Sequence, residues 1–332
     1  MLIFNFRALC QKLSIFAPDS RIPAPSFLVK PSIHSRDIIG EQFSQILSIK
    51  RRTVLQKLID LTSKSAVKNL LQTSGLRPQK RLGQNFLVDR EVLGKIIETA
   101  DLKAEDTVLE IGPGIGTLTQ GLAKRAKKVM AVEKDQKICE ILAKTLKDFK
   151  NVEIIQKDIR DLELGIRNFK IVANLPYYIV APVIRKFLEL SEVRPLSLTL
   201  MVQKEVGQRI CAQPPDMSLL AVSVQAYADA RIISFIPKTS FWPQPKVDGA
   251  IIKIIPNPKL SGSNPDSLFF RIVKAGFAQP RKQLANNLSR GLKINKKEVE
   301  VWLKKNNIQP TQRAETLNME NWLNLAKSFK ID

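Results

Sequence analysis

The sequence predicts an α/β chain: an open, mainly parallel sheet with helices packed on it, followed by a small helical C-terminal domain. Short apolar runs at 107–111, 129–132, 152–156 and 169–173 alternate with stretches of helical periodicity. That alternation is the pattern of βα units in a parallel sheet. The first run leads into Glu110-Ile111-Gly112-Pro113-Gly114-Ile115-Gly116, a glycine-rich loop between a strand and a helix, the usual start of a Rossmann-like ligand-binding half. Beyond residue 265 the apolar spacing is helical only.

Composition narrows the chemistry. Lys and Arg number 53 against 31 acidic residues, for a net charge of +22. An excess of that size points to nucleic acid as partner, with anionic membrane second. No apolar run reaches the ~18 residues of a membrane span. Cys10, Cys139 and Cys211 show no paired spacing, which favours a reducing compartment, here the cytoplasm, over disulfides or a zinc site. The single histidine, His34, lies in a Pro- and Ser-rich leader. Ser-His triads and His-ligated metals are therefore not expected. Carboxylates, amides, aromatics and a cofactor remain to do the chemistry.

In chain order, residues 1–40 read as a disordered or extended leader. Its prolines and basic residues also fit an organellar transit peptide, which would place the protein in an organelle matrix. Residues 41–76 read as a basic helical arm, with Ser63 capping a second helix that ends at Gly75. Across residues 1–80 there are 13 basic and 4 acidic side chains. Such a surplus suits either a solvated face or an arm that holds RNA phosphates. An α/β domain is then expected over 77–256, and a basic helical domain over 257–332. Its helices are read at 266–277, 281–290, 296–305 and 318–329.

Within 77–256, Gln84-Asn85-Phe86-Leu87 reads as a loop that packs Phe86 and Leu87 and holds two amides near them, before a helix capped by Asp89. The GxGxG loop alone is weak evidence for a nucleotide-type cofactor, being one residue short of the dinucleotide fingerprint. Glu133 ends the second strand, where an acid can take both hydroxyls of a ribose. Asp135 is the better cap for the helix that follows, leaving Glu133 free. Asp158, after the third strand, can accept from an adenine amino group. The fourth strand delivers Asn174-Leu175-Pro176-Tyr177-Tyr178: an amide, carbonyls and a ring at one spot, suited to an extruded adenine. A plain turn is the alternative for the Asn-Pro pair. All four features fall at the C-terminal ends of successive strands, where open α/β sheets bind ligands.

Together with Phe241-Trp242-Pro243-Gln244-Pro245-Lys246-Val247-Asp248, these stretches resemble the ribosomal RNA adenine N6-dimethyltransferases, the kasugamycin-sensitivity methylase family, from about residue 62 onwards. The resemblance implies a Rossmann-like class I methyltransferase sheet and S-adenosyl-L-methionine as cofactor. It implies that Asn85 and Leu87 touch the cofactor, that Gly112 lies under its methionine part, that Glu133 holds the ribose and Asp158 the adenine, and that Asn174 sits beside the sulfonium. Asn174, Pro176 and Tyr177 then form the catalytic turn, Tyr177 stacking on the base. Phe241-Trp242-Pro243 is either a rim that wedges the flipped base or ordinary core. The expected partner is small-subunit rRNA in a pre-30S particle, met by a monomer without metal or membrane.

The chain departs from the family at Met217-Ser218-Leu219-Leu220, where a Gly-Arg pair is common, and at Gln279-Pro280-Arg281-Lys282, where the family has Arg-Arg-Lys. These departures touch RNA contacts, not the cofactor set. Alternatives are a large-subunit methylase of the erythromycin-resistance type, a non-catalytic rRNA-binding assembly factor, and, more remotely, a nicotinamide dehydrogenase. Leu175 and the stretch Arg313-Ala314-Glu315 favour the small subunit; the intact Asn174-Pro176-Tyr177 set favours retained catalysis.

Overall fold

The computed structural model describes residues 59–79, 83–190, 193–257 and 267–329. The leader, the arm up to residue 58 and nearly all of the 257–266 linker lie outside them. The first helix described, α1 (Lys64–Thr73), starts at Ser63, whose side chain accepts from the Ala66 amide. Its second turn buries Val67 and Leu71.

Seven strands form one sheet: β2 (Thr107–Ile111), β3 (Lys128–Glu133), β4 (Val152–Gln156), β5 (Phe169–Asn174), β6 (Ser197–Gln203), β7 (Ala228–Ile236) and β9 (Gly249–Pro256), in the order β4-β3-β2-β5-β6-β9-β7. From β4 to β6 every pairing is parallel, whereas β9 runs against both of its neighbours. The reversal sits where Gln244-Pro245-Lys246-Val247-Asp248 turns the chain back beside β6. The sheet order switches direction between β2 and β5, so the tips of β2, β3, β4 and β5 open onto one crevice.

The central strands are apolar on both faces because both are covered, the expected pattern for parallel strands. On one face pack α2 (Arg90–Ala100) and α3 (Thr117–Ala123), with Val92, Ile96, Leu118 and Leu122 against Val108, Val129 and Val172. On the other, Phe169 and Phe187 meet edge to face at 6.2 Å between centroids, a geometry worth about 0.5–1.5 kcal/mol beyond area burial. That second core continues without a break into the C-terminal helices α8 (Ser267–Gly276), α9 (Leu284–Leu292), α10 (Lys296–Lys305) and α11 (Met319–Ser328), where Trp322 is fully buried. The helices lie within a few residues of the expected spans. They share one hydrophobic cluster with the sheet.

Three local features shape the site and its surroundings. The helix α7 (Leu219–Gln225) is short, and the chain enters β7 at Ala228. Exposure alternates along β7, an edge strand with one wet face rather than a continuous apolar run. Second, the Asn174-Leu175-Pro176 stretch leads into a 3-10 turn, Tyr177–Ile179, then α5 (Val180–Arg185) and a π-helical turn, Lys186–Leu190. Third, β1 (Phe86–Leu87) pairs antiparallel with β8 (Phe241–Trp242), Phe86 opposite Trp242 and Leu87 opposite Phe241. The Val88 amide adds a bond to the Ser240 carbonyl at 2.9 Å, and the Ser240 hydroxyl donates to Asp89 at 2.7 Å. This ribbon fixes the Gln84-Asn85 loop over the crevice. No helix among the described residues is long and apolar enough to cross a membrane.

Candidate active site

The crevice at the strand tips is one cleft, lined among others by Asn85, Leu87, Gly112, Glu133, Asp158, Asn174 and Pro176. Seven of the eight residues expected there from sequence therefore meet in one place. For Tyr177 the backbone begins the 3-10 turn, while its side chain lies outside the described atoms. The aromatic described at this rim is Tyr178, whose hydroxyl accepts from Lys134 Nζ at 2.8 Å.

Glycine shapes the floor. Gly112 (φ +67°) and Gly114 (φ +58°) both hold left-handed backbone, which side-chain-bearing residues adopt only at a cost. A Cβ on Gly114 would stand 3.3 Å from the Phe86 ring, and one on Gly112 would face Pro176 at 3.8 Å. A bare backbone here lets the glycine loop, the β1 ribbon and the turn at Pro176 approach one another closely.

The two carboxylates at the tips of β3 and β4 are held differently. Glu133 Oε1 accepts the amides of Lys134 (2.8 Å) and Asp135 (3.0 Å). Asp135 itself caps α4 (Gln136–Thr145) through the amides of Lys137 and Ile138. So Asp135 is the cap, as expected, but Glu133 is not wholly free: one oxygen is anchored and Oε2 is left for a ligand. Burial raises the Glu133 carboxyl above the ordinary range, and its two backbone hydrogen bonds pull it back.

Asp158 departs further from the reading that left it open to a base. Its Oδ1 accepts the Arg160 amide and Nε, each at 3.0 Å, and Oδ2 accepts Arg160 Nη2 at 2.8 Å. Those hydrogen bonds, opposed by partial burial, bring the carboxyl down to about 2. An adenine amino group at Asp158 must share the carboxylate with Arg160 or displace it. Both partners sit on one short turn, Ile159–Asp161, which Asp158 also caps.

At the tip of β5, Asn174 Nδ2 donates to the Asn85 carbonyl at 3.4 Å. That bond engages Nδ2, and no described residue donates to Oδ1, the acceptor. The Pro176 carbonyl is taken by the Ile179 amide at 3.1 Å. The Leu175 amide is tied to the Met201 carbonyl, and no described residue donates to the Leu175 carbonyl. Of the Leu175 and Pro176 carbonyls, that of Leu175 is the available one. Gly83 packs on Pro176, an added Cβ standing 3.3 Å from its ring, so the N-terminal loop and the turn at Pro176 are in contact.

Trp242 is not a rim residue. It packs at the edge of the cluster formed by α1 and α4, with Lys68 Nζ 5.8 Å from its ring centroid; its neighbour Phe241 lines the cleft. The ordinary-core reading holds for Trp242. Sequence reasoning also passed over Glu110, a buried acid inside the apolar run Thr-Val-Leu-Glu-Ile that lines the same cleft. A lone charge in a strand buried on both faces was the available signal.

This sheet, with its reversed β9 and its glycine loop and carboxylates at the parallel tips, defines a class I methyltransferase fold. Among solved structures the chain is similar to a dimethyladenosine transferase from Plasmodium falciparum (27% identity, TM-score 0.63, 72% of this chain and 95% of that one). It is also similar to the 23S rRNA methyltransferase ErmE (26% identity, TM-score 0.60, 74% and 99%). Residues 75–330 match the family model described as ribosomal RNA adenine dimethylase. Curated relatives named ribosomal RNA small subunit methyltransferase A include one from Dehalococcoides mccartyi, 44% identical over 77% of this chain and 89% of the relative. Another, from Alkaliphilus oremlandii, is 41% identical over 81% and 98%. The chain belongs to the ribosomal RNA adenine dimethylase family and is an rRNA adenine methyltransferase.

Proposed function

We propose that the protein uses S-adenosyl-L-methionine to dimethylate N6 of two adjacent adenines near the 3′ end of small-subunit rRNA. It acts as a cytoplasmic monomer on a pre-30S particle, without metal or membrane. The observation that carries this reading is the acceptor pair at the tip of β5: Asn174 Oδ1, left without a described donor while Nδ2 is engaged by Asn85, beside the Leu175 carbonyl. The target subunit follows the curated relatives, which bear the small-subunit name.

The residues present fit the cofactor. The left-handed backbone at Gly112 and Gly114 admits its methionine part closely, with Asn85 and Leu87 covering it. Glu133 Oε2 is available to a ribose, and Asp158 to an adenine once Arg160 yields a lone pair. When bound, the cofactor supplies an electrophilic methyl group. What the chain supplies is position. The lone pair of an adenine amino nitrogen is delocalised into the ring. Two acceptors, Asn174 Oδ1 and the Leu175 carbonyl, hold its hydrogens and favour a pyramidal nitrogen whose lone pair faces the cleft. Tyr177 stacks on the extruded base, a contact worth about 1–3 kcal/mol. Alignment of this kind accounts for much of the rate without a strong base, in keeping with a cleft whose described lining contains no histidine.

In this reading residues 77–256 do the chemistry and 257–332 hold RNA, Lys274, Arg281, Lys282, Arg290, Lys293, Lys296 and Lys297 all being exposed. The arm at 41–76 adds phosphate contacts. Affinity for a small-subunit particle should fall steeply with salt, and deletion of residues 1–60 should flatten that slope; an unchanged slope removes the arm from the RNA interface.

The test of the function is to incubate the full chain with labelled S-adenosyl-L-methionine and unmethylated small or large ribosomal subunits, then digest the RNA to nucleosides. Dimethyladenosine should form in small-subunit RNA, at two neighbouring positions by primer extension. Label in large-subunit RNA alone would overturn the choice of target.

A further inference from the structure

Glu110 lines the cleft, yet the mechanism above makes no use of it. It is 1% exposed, and its Oε2 has no hydrogen-bond partner. The hydroxyl that acts on it, from Thr119 on α3, is itself buried and has no other partner among the described residues. Its strand neighbours in register, Ala131 on β3 and Val172 on β5, are apolar. The charged group that acts on it is another carboxylate, Glu133 at the tip of β3. Of the remaining charges around the cleft, Lys134 is engaged with Tyr178, Asp135 caps α4, Asp158 is bound to Arg160, and Lys157 lines the cleft without acting on Glu110. No described residue places a cation against Glu110. A carboxylate so buried, unpaired and beside a like charge is strongly disfavoured. Burial lifts its carboxyl to about 8; the Thr119 hydroxyl draws it down and the Glu133 charge adds to the lift.

We infer that Glu110 is the uncharged acid in the free protein and becomes the counter-ion of a cationic group when the cofactor binds, so that cofactor binding releases a proton. The inference rests on S-adenosyl-L-methionine being the cofactor. The carboxyl O–H bond breaks, the proton passes to solvent buffer, and the carboxylate left behind faces the cation. S-adenosyl-L-methionine offers two cations to this site, the sulfonium and the α-ammonium. With the proton gone, the carboxyl returns towards the ordinary ~4.3 of a glutamate. Affinity should then rise by about tenfold per pH unit between about pH 6 and pH 8, and level off above. Asp158, held at about 2, and Cys139, raised to about 11 by burial and the nearby Glu133 charge, stay in one form throughout that window.

The experiment is calorimetric titration of the full chain at neutral pH in buffers of low and high ionisation enthalpy. Wild-type protein should release close to one proton per S-adenosyl-L-methionine bound. Glu110→Gln should release almost none and show a flat affinity profile, whereas Glu133→Gln should keep most of the release. Binding by the wild type without proton release, or equal release from Glu110→Gln, overturns the inference alone. Failure of the wild type to bind the cofactor at any pH would remove the functional reading with it. Two further ligands, used with wild-type protein, make the outcome independent of how the variants fold. Release with S-adenosylhomocysteine but not with 5′-methylthioadenosine assigns the ammonium as the cation. Release with S-adenosyl-L-methionine alone assigns the sulfonium. Equal release with 5′-methylthioadenosine, which has neither cation, overturns the inference.

Discussion

The tips of β3 and β4 carry carboxylates, whereas the tip of β5, in the same cleft, carries only uncharged acceptors. Glu133 and Asp158 are held by backbone amides and by an arginine; Asn174 is held by one carbonyl from the N-terminal loop. Each set suits a different task. A ribose or a cationic ligand is gripped best by charge-assisted bonds. A neutral amine that must become a nucleophile needs its hydrogens directed and its lone pair left alone, and a full negative charge is not required for that. On the proposed reading, binding and chemistry are separable along the sheet, and substitutions at the two kinds of tip should separate them.

The largest effect is expected at β5. Asn174→Ala removes the oriented acceptor and should lower single-turnover methyl transfer by about two orders of magnitude or more, as for loss of one preorganised polar contact. Cofactor affinity, measured by calorimetry on the same preparation, should scarcely move. Normal transfer by this variant would reduce the turn to a structural element and dissolve the contrast. Glu133→Ala should show the opposite pattern. Loss of a charge-assisted acceptor of about 1.5–3 kcal/mol weakens cofactor binding roughly 10- to 150-fold, with turnover largely restored at saturating cofactor. If turnover stays low at saturation, Glu133 acts on chemistry too. The smallest effect concerns Arg160. Because it occupies both oxygens of Asp158 at an exposed site, Arg160→Ala should tighten cofactor binding by about two- to fivefold, the scale of an exposed ion pair. Weaker binding would show instead that the arginine aims Asp158 at its ligand.

The sequence reading reached the sheet and the gathering of the cleft because those signals are local. Each strand is a short apolar run, each acid stands at the end of one, and the glycines mark a loop that only bare backbone can make. The features it missed depend on side-chain placement or on distant pairing. The two-residue strands β1 and β8 are too short to show periodicity, and nothing near Phe86 announces Trp242 as its partner. The Arg160 clamp is visible in sequence only as a nearby arginine, one of many in a basic chain; its fork on Asp158 is a matter of rotamer. Glu133 was read as free because its competing role, tying down the amides that follow it, belongs to the loop's conformation. Choosing between the Leu175 and Pro176 carbonyls required knowing that a 3-10 turn follows and engages the latter.

The β1–β8 ribbon also bears on how the molecule is made. Its bond between Ser240 and Asp89 joins residues 151 apart in sequence. Contacts of such separation carry a large loop-closure cost and form late. During synthesis the glycine loop, Glu133 and Asp158 leave the ribosome well before β8 does, so the nascent sheet can pair while the Asn85 loop still lacks its clasp. The cleft is completed only when the 240–248 stretch arrives, and Asn174 gains the carbonyl that orients it as one of the last events of folding. A chain interrupted before that stretch can therefore build most of the sheet and still be unable to position its substrate.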